Sequence, residues 1–203
     1  MPERRLAPAP LSGLAVFAYA SLVDPTSVRQ TLGHDVEPVP ARLAGWRRRW
    51  SVARDNRVAE KTFALVDDGS LPRFCLGLNI EPADEDAPAP NGALIRVSTA
   101  DLVRLDRREL RYDRIEVTDA LDGRPAGVER VFAYTSKRER YAAEAPKGAV
   151  ILAPYVRTVE AAFAQLGVDQ LEAYRRTTEA PPVPVVEGVL VADSIPPGNP
   201  REW

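Results

Sequence analysis

The sequence is poor in the side chains that most often carry chemistry. Among 203 residues it has one histidine, His34, one cysteine, Cys75, and one methionine, Met1. A structural zinc site takes four Cys or His ligands and a catalytic one usually three protein ligands, so the common zinc sites are excluded. A lone cysteine closes no disulfide within the chain. No opening run combines the basic, apolar and small-residue parts of a secretory signal, and no apolar run approaches the roughly 18 residues of a membrane span. The expected location is cytoplasmic, with no membrane partner. The 27 basic residues nearly cancel the 29 acidic ones. A net charge of -2 offers no general attraction to nucleic acid, and the expected partner is a small molecule. Without metal or cofactor, proton transfers fall to Asp, Glu, Tyr or His34, and carboxylates are the natural carriers.

Apolar residues make up 45% of the chain, enough for a substantial core. The 19 prolines are roughly twice the usual share of about 5% and cluster at 2–10, 82–90 and 181–200. Proline interrupts helices and ladders, so these clusters mark an entry arm, an acidic loop and a terminal segment. The expected organisation is an arm over 1–12, one domain over 13–195 and a tail over 196–203. Gly13 to Leu22 is apolar on both faces, as in a central strand, and Asp24-Pro25 ends it. Arg42 to Val52 reads as a second strand, with Trp46, Arg48 and Trp50 on one face and Arg47 and Arg49 on the other. Leu76 to Ile80 alternates, and Asn91-Gly92 reads as a hairpin turn into Ala93 to Val97. Tyr112 to Val117, Val128 to Tyr134 and Glu187 to Asp193 complete the strands. The expected fold is α+β: about six or seven strands, mostly antiparallel in a barrel-like sheet, with two or three helices.

One helix has a phase of interest. Ser98 or Thr99 caps it and it runs through Leu110. At 100° per residue, Leu102, Leu105, Asp106 and Glu109 share one face, whereas Asp101, Arg104, Arg107, Arg108 and Arg111 point elsewhere. Acids are seldom buried unless paired or used. Arg48 or Arg114 neutralising one of them is one reading, and a working carboxylate is the other. The remaining candidates are weaker. His34 reads as a loop residue and Cys75 as core. Ser21 has no Gly-x-Ser-x-Gly elbow around it. The Trp46-Arg-Arg-Arg-Trp50 patch can stack single-stranded nucleic acid only if its charges share a face, and strand alternation splits them.

The ordered set Phe17-Ala-Tyr-Ala-Ser-Leu22, Arg42-Leu-Ala-Gly-Trp-Arg-Arg-Arg-Trp50 and Leu105-Asp-Arg-Arg-Glu-Leu-Arg-Tyr112 resembles the gamma-glutamylcyclotransferase superfamily over about residues 14–192. That family opens with a Tyr-Gly-Ser signature after its first strand and carries its catalytic glutamate in a Leu-Asp-x-x-Glu-like segment. The resemblance implies that Glu109 is the general acid and base and that Tyr19, Ala20, Ser21 and Leu22 hold substrate; Arg48 is a candidate for the pocket border, and Tyr112 and Tyr134 either line the pocket or simply pack. It implies no cofactor and no metal, a γ-glutamyl substrate, and release of 5-oxoproline by intramolecular cyclisation. A model amine pKa near 8 against a glutamate near 4.3 makes the first proton transfer uphill by about 5 kcal/mol. Burial beside Leu102 and Leu105 is expected to raise the carboxylate and shrink that cost. Ala20 stands where the signature has glycine, which is compatible with a working loop only at negative φ. A non-catalytic, small-molecule-binding member of the same fold is the alternative.

Overall fold

A computed structural model describes residues 13–84 and 86–195. The expected arm over 1–12 and tail over 196–203 lie outside the described residues. Strand β1 (Leu14–Ala18) lies in the middle of a six-stranded sheet ordered β7-β9-β1-β6-β2-β8. The others are β2 (Val39–Leu43), β6 (Asn91–Val97), β7 (Tyr112–Glu116), β8 (Leu121–Asp122) and β9 (Arg130–Ser136). The sheet curls as a half-barrel. β1 pairs antiparallel with β6 and parallel with β9, and its residues from Ala15 onward are almost wholly buried. An apolar run without alternation is what a strand covered on both faces requires.

A second sheet is ordered β11-β10-β5-β3, from β3 (Trp46–Asp55), β5 (Phe74–Pro82), β10 (Ala149–Leu152) and β11 (Val185–Val186). A two-stranded ribbon joins β4 (Lys61–Leu65) to β12 (Gly188–Asp193). The α+β class and the largely antiparallel pairing are as expected. The count is higher, with 12 strands and four α-helices among the described residues, because several strands are only two to five residues long and carry too little pattern to read.

The helices are α1 (Pro25–Leu32), α2 (Thr99–Arg108), α3 (Ala153–Leu166) and α4 (Val168–Thr177). α1 corrects the reading of Asp24-Pro25 as a mere terminator. Asp24 is a helix N-cap whose carboxylate accepts from Thr26 N–H at 2.9 Å, Pro25 fills the first helical position, and Gly33 closes the helix at φ 78°. α2 opens on a capping box: Ser98 Oγ accepts from Asp101 N–H at 3.1 Å and Asp101 Oδ2 accepts from Ser98 N–H at 2.9 Å. Asp101 also meets His34 Nε2 at 3.1 Å, tying the end of α1 to the start of α2. Asp101 is therefore buried, not outward. Among the described residues no helix is long and apolar enough to cross a membrane.

Asn91-Gly92 is not a turn but the start of β6, and the glycine has a packing reason. A Cβ on Gly92 would lie 2.2 Å from the Ala18 carbonyl oxygen and 2.8 Å from Phe17 Cζ. Only glycine lets β6 pass this close to the end of β1. Gly92→Ala should therefore cost about 1–3 kcal/mol in denaturant unfolding, the usual penalty of forced overpacking; an unchanged midpoint would show that the strands separate freely.

The His34–Asp101 pair supplies a pH signature. The Asp35 carbonyl and Asp101 raise His34 against a smaller opposing effect of burial. A raised imidazole contributes its stability below the ordinary histidine range and loses it as pH rises through the folded value. His34→Gln should thus destabilise the protein by less than about 1 kcal/mol under mildly acidic conditions, since the pair is half exposed, and by nothing under alkaline ones. Thermal midpoints against pH read this, and a constant difference across pH would contradict it.

Candidate active site

Where β1 ends, the chain enters a short 3-10 turn at Ser21–Val23 and then α1. The first N–H groups of such a turn have no partner within it. Ala20 has φ -143°, and no non-glycine residue among those described has positive φ. The alanine in place of glycine is therefore accommodated by the backbone. Tyr19 is buried, and its hydroxyl donates to the Tyr134 carbonyl at 2.6 Å, clamping the turn onto β9.

Glu109 is the C-cap of α2, with φ -88° and ψ 53°, and its N–H still bonds Leu105 O at 2.8 Å. It is buried at 7% exposure, with Leu102 and Leu105 beneath it. The helix phase is right for these three residues and wrong for Asp101, buried in the capping box, for Asp106 and for Arg108. Asp106 is exposed: it accepts from the Tyr134 hydroxyl at 2.8 Å and pairs with Arg114 at 3.2 Å. Arg108, expected outside, is buried. The reason is α1, which the sequence reading lacked. Arg108 crosses to it and donates to Ser27 O at 2.8 Å, Ser27 Oγ at 2.7 Å and Thr31 Oγ1 at 2.7 Å. Its Nε then lies 3.1 Å from Glu109 Oε1. The carboxylate is thus paired with a fixed guanidinium, that of Arg108 in place of the Arg48 or Arg114 expected as the neutralising partner. Among the described residues, no hydrogen bond is assigned to the other oxygen, Oε2.

A cavity of about 120 Å³ opens in front of Glu109. Tyr19, Ala20, Ser21, Leu22 and Tyr112 line it, as does Tyr134. So do Arg54, Lys61, Phe63, Cys75, Arg111 and Tyr155, none of them expected there. Strand alternation carries a signal for one of these, since Arg54 follows Val52 by two residues and both line the wall. Arg111 and the ribbon residues have no such signal. A space this size admits a small molecule and not a folded polymer.

Arg48 is not in the wall. It lies behind it, fully buried, donating to Tyr19 O at 3.1 Å and to Asn91 O at 2.7 Å. Burial lowers it to about 10, and among the described residues it has no carboxylate partner. The correction follows from its length: the side chain reaches through β3 to α4, donating to Tyr174 O, Thr177 Oγ1 and Thr178 Oγ1, with its guanidinium 4.4 Å from the Tyr174 ring centroid. With Arg48 and Trp50 buried, residues 46–50 present no shared stacking face.

The chemistry of the lining is narrow. Among the described residues, Glu109 is its single carboxylate. Burial raises the phenols of Tyr19, Tyr134 and Tyr155, with Asp106 adding to the rise at Tyr134, so these rings stay protonated at neutral pH. Burial also pushes the Cys75 thiol up. Among the described residues, no three His, Cys, Asp or Glu side chains converge as a metal site. Among the described residues the arrangement is one buried carboxylate in the cavity wall, a turn of backbone N–H groups beside it, and a lining of neutral phenols together with the cations Arg54, Lys61 and Arg111. Such a set accepts and returns a single proton beside a polarised carbonyl.

No family model matches the sequence, and no curated protein matches it. Solved structures do. One described as a gamma-glutamyl cyclotransferase superposes with a TM-score of 0.56 at 14% identity, covering 86% of this chain and 94% of that one. An uncharacterized human protein superposes with a TM-score of 0.54 at 15% identity, covering 80% of this chain and 86% of that one. This chain has the fold of the gamma-glutamylcyclotransferase-like proteins.

Proposed function

We propose that the cavity cyclises a γ-glutamyl amide or peptide to 5-oxoproline, with Glu109 as the general acid and base. The observation that carries this reading is Glu109 itself: the one carboxylate of the wall among the described residues, buried, with Oε1 occupied by Arg108 and Oε2 left for a substrate proton. The α-amine nitrogen attacks its own γ-carbonyl carbon and closes a five-membered ring. Glu109 takes the proton that the amine sheds. The bond from the γ-carbon to the leaving amine breaks, and the same carboxyl returns the proton to that amine. Charge on the carbonyl oxygen develops toward the N–H groups at Ala20 to Leu22. Nucleophile and electrophile arrive tethered, so folding the substrate supplies most of the orientation.

The proton transfer that costs about 5 kcal/mol between model groups is eased from the substrate side. An ammonium loses water on entering this aromatic space, and the wall around it carries the cations Arg54, Lys61 and Arg111. Both effects disfavour the charged amine and lower its pKa. Arg108, anchored on α1, keeps the carboxylate oriented toward the cavity. Of the two features that motivate the non-catalytic alternative, Ala20 and the acidic proline loop at 82–90, the negative φ at Ala20 weakens the first.

Incubation with γ-glutamyl amides should release 5-oxoproline, detected by mass spectrometry. Glu109→Gln, which keeps size and burial, should lower kcat by about 100-fold or more, the usual worth of a positioned acid–base group, and should lower the thermal midpoint as well, because the buried Arg108 loses its carboxylate partner; turnover is therefore compared well below that midpoint. Full turnover by Glu109→Gln would place the base elsewhere. Thermal stabilisation by a γ-glutamyl compound without any product would instead mark a binding module.

A further inference from the structure

Among the described residues the charges around the cavity do not balance, and the excess belongs to one residue. Lys61 pairs with Asp193 at 3.2 Å, Arg111 with Glu60, and Glu109 with Arg108 at 3.1 Å. Arg54 has no such partner among the described residues. Its Nη1 donates to the Lys61 carbonyl at 3.0 Å, its Nη2 to Asn56 Oδ1 at 3.1 Å, and its guanidinium lies 4.8 Å from the Phe63 ring centroid. All of these groups are neutral, and burial keeps the neighbouring Cys75 thiol neutral as well. Asn56, itself fully buried, is braced by Phe63 N–H and O at 2.9 and 2.8 Å, so the guanidinium is held on a rigid support. A cation that is fixed, half-buried and uncompensated in a cavity wall is a recognition element for an anion.

Arg54 stands on β3, on a different element from the turn at Ala20 to Leu22 and from Glu109 at the end of α2. Those two elements serve the γ-glutamyl head in the reading above, on which this inference rests. The part of the substrate left for Arg54 is the leaving amine. We infer that Arg54 reads a carboxylate on that amine, so that the site takes γ-glutamyl amino acids and peptides with a free carboxylate in preference to γ-glutamyl alkylamines. Arg54 is then a specificity residue, and the paired cations Lys61 and Arg111 supply a positive surround without being the contact.

The test compares γ-glutamyl-alanine with its C-terminal amide, which differ only in the charge in question. The wild-type protein should prefer the acid in kcat/KM by about tenfold or more, the worth of one hydrogen bond to a charged group. Arg54→Gln should bring the ratio close to one, and Arg54→Lys should restore part of it, with thermal midpoints reporting that each variant is folded. A wild-type ratio near one overturns the inference and leaves the cyclisation standing. An equal loss on both substrates in Arg54→Gln also overturns it, by placing Arg54 on the γ-glutamyl head. If neither compound yields 5-oxoproline, the cyclisation reading fails, and calorimetry with the same two compounds decides the inference alone. Tighter binding of the acid that disappears in Arg54→Gln upholds it, whereas equal affinities, or no binding of either, overturn it.

Discussion

A fully buried guanidinium, that of Arg48, with no carboxylate partner among the described residues organises the molecule. Stripping Arg48 of water costs several kcal/mol, and burial holds its pKa down to about 10. Six hydrogen bonds and the rings of Tyr174 and Phe163 replace the lost water. The six bonds end on three parts of the fold: one on the Tyr19 carbonyl where β1 passes into the turn at 19–22, two on Asn91 at the start of β6, and three on the last turn and cap of α4. Lysine has neither the fork nor the planar face to make these contacts together. The path of the turn at 19–22 is thus set from behind by Arg48, from above by the Tyr19 hydroxyl on β9, and from the side by the close approach of Gly92.

The carboxylate opposite that turn is positioned by a second arginine. Arg108 reaches from α2 to α1 and, in bonding Ser27 and Thr31, presents its Nε to Glu109. The helix ends one residue earlier, so Glu109 sits at a cap where the backbone turns and its side chain is free of the helix face. Two neighbouring helices are therefore needed to orient one acid. The His34–Asp101 contact at the other end of α2 fixes the same pair of helices.

The parts of this arrangement legible in the sequence are those with long, regular patterns. The apolar run of β1, the capping Ser98 and the stripe of Leu102, Leu105 and Glu109 all stand where periodicity puts them. Asp24-Pro25 was ambiguous in a specific physical way, since the same dipeptide ends a strand and starts a helix. Losing α1 to that ambiguity cost the reading its partner for Arg108 and hence the environment of Glu109. Asn91-Gly92 likewise satisfies a turn rule and a close-packing rule, and only the Ala18 carbonyl decides between them. Arg48 had the right face but not the right depth, because its partners on α4 lie about 130 residues away and leave no local trace. The ribbon wall with Lys61 and Phe63 was out of reach for the same reason, being built from pairing between distant short strands.

The account stands on a γ-glutamyl group lying between Glu109 and the turn at Ala20 to Leu22. A crystal structure of Glu109→Gln soaked with γ-glutamyl-alanine tests this most directly. The account predicts the α-nitrogen within about 3 Å of the side chain at 109, the reach of proton transfer, and the γ-carbonyl oxygen facing the N–H groups of the turn. A ligand bound outside this cavity, or one whose α-nitrogen points away from residue 109, would contradict it.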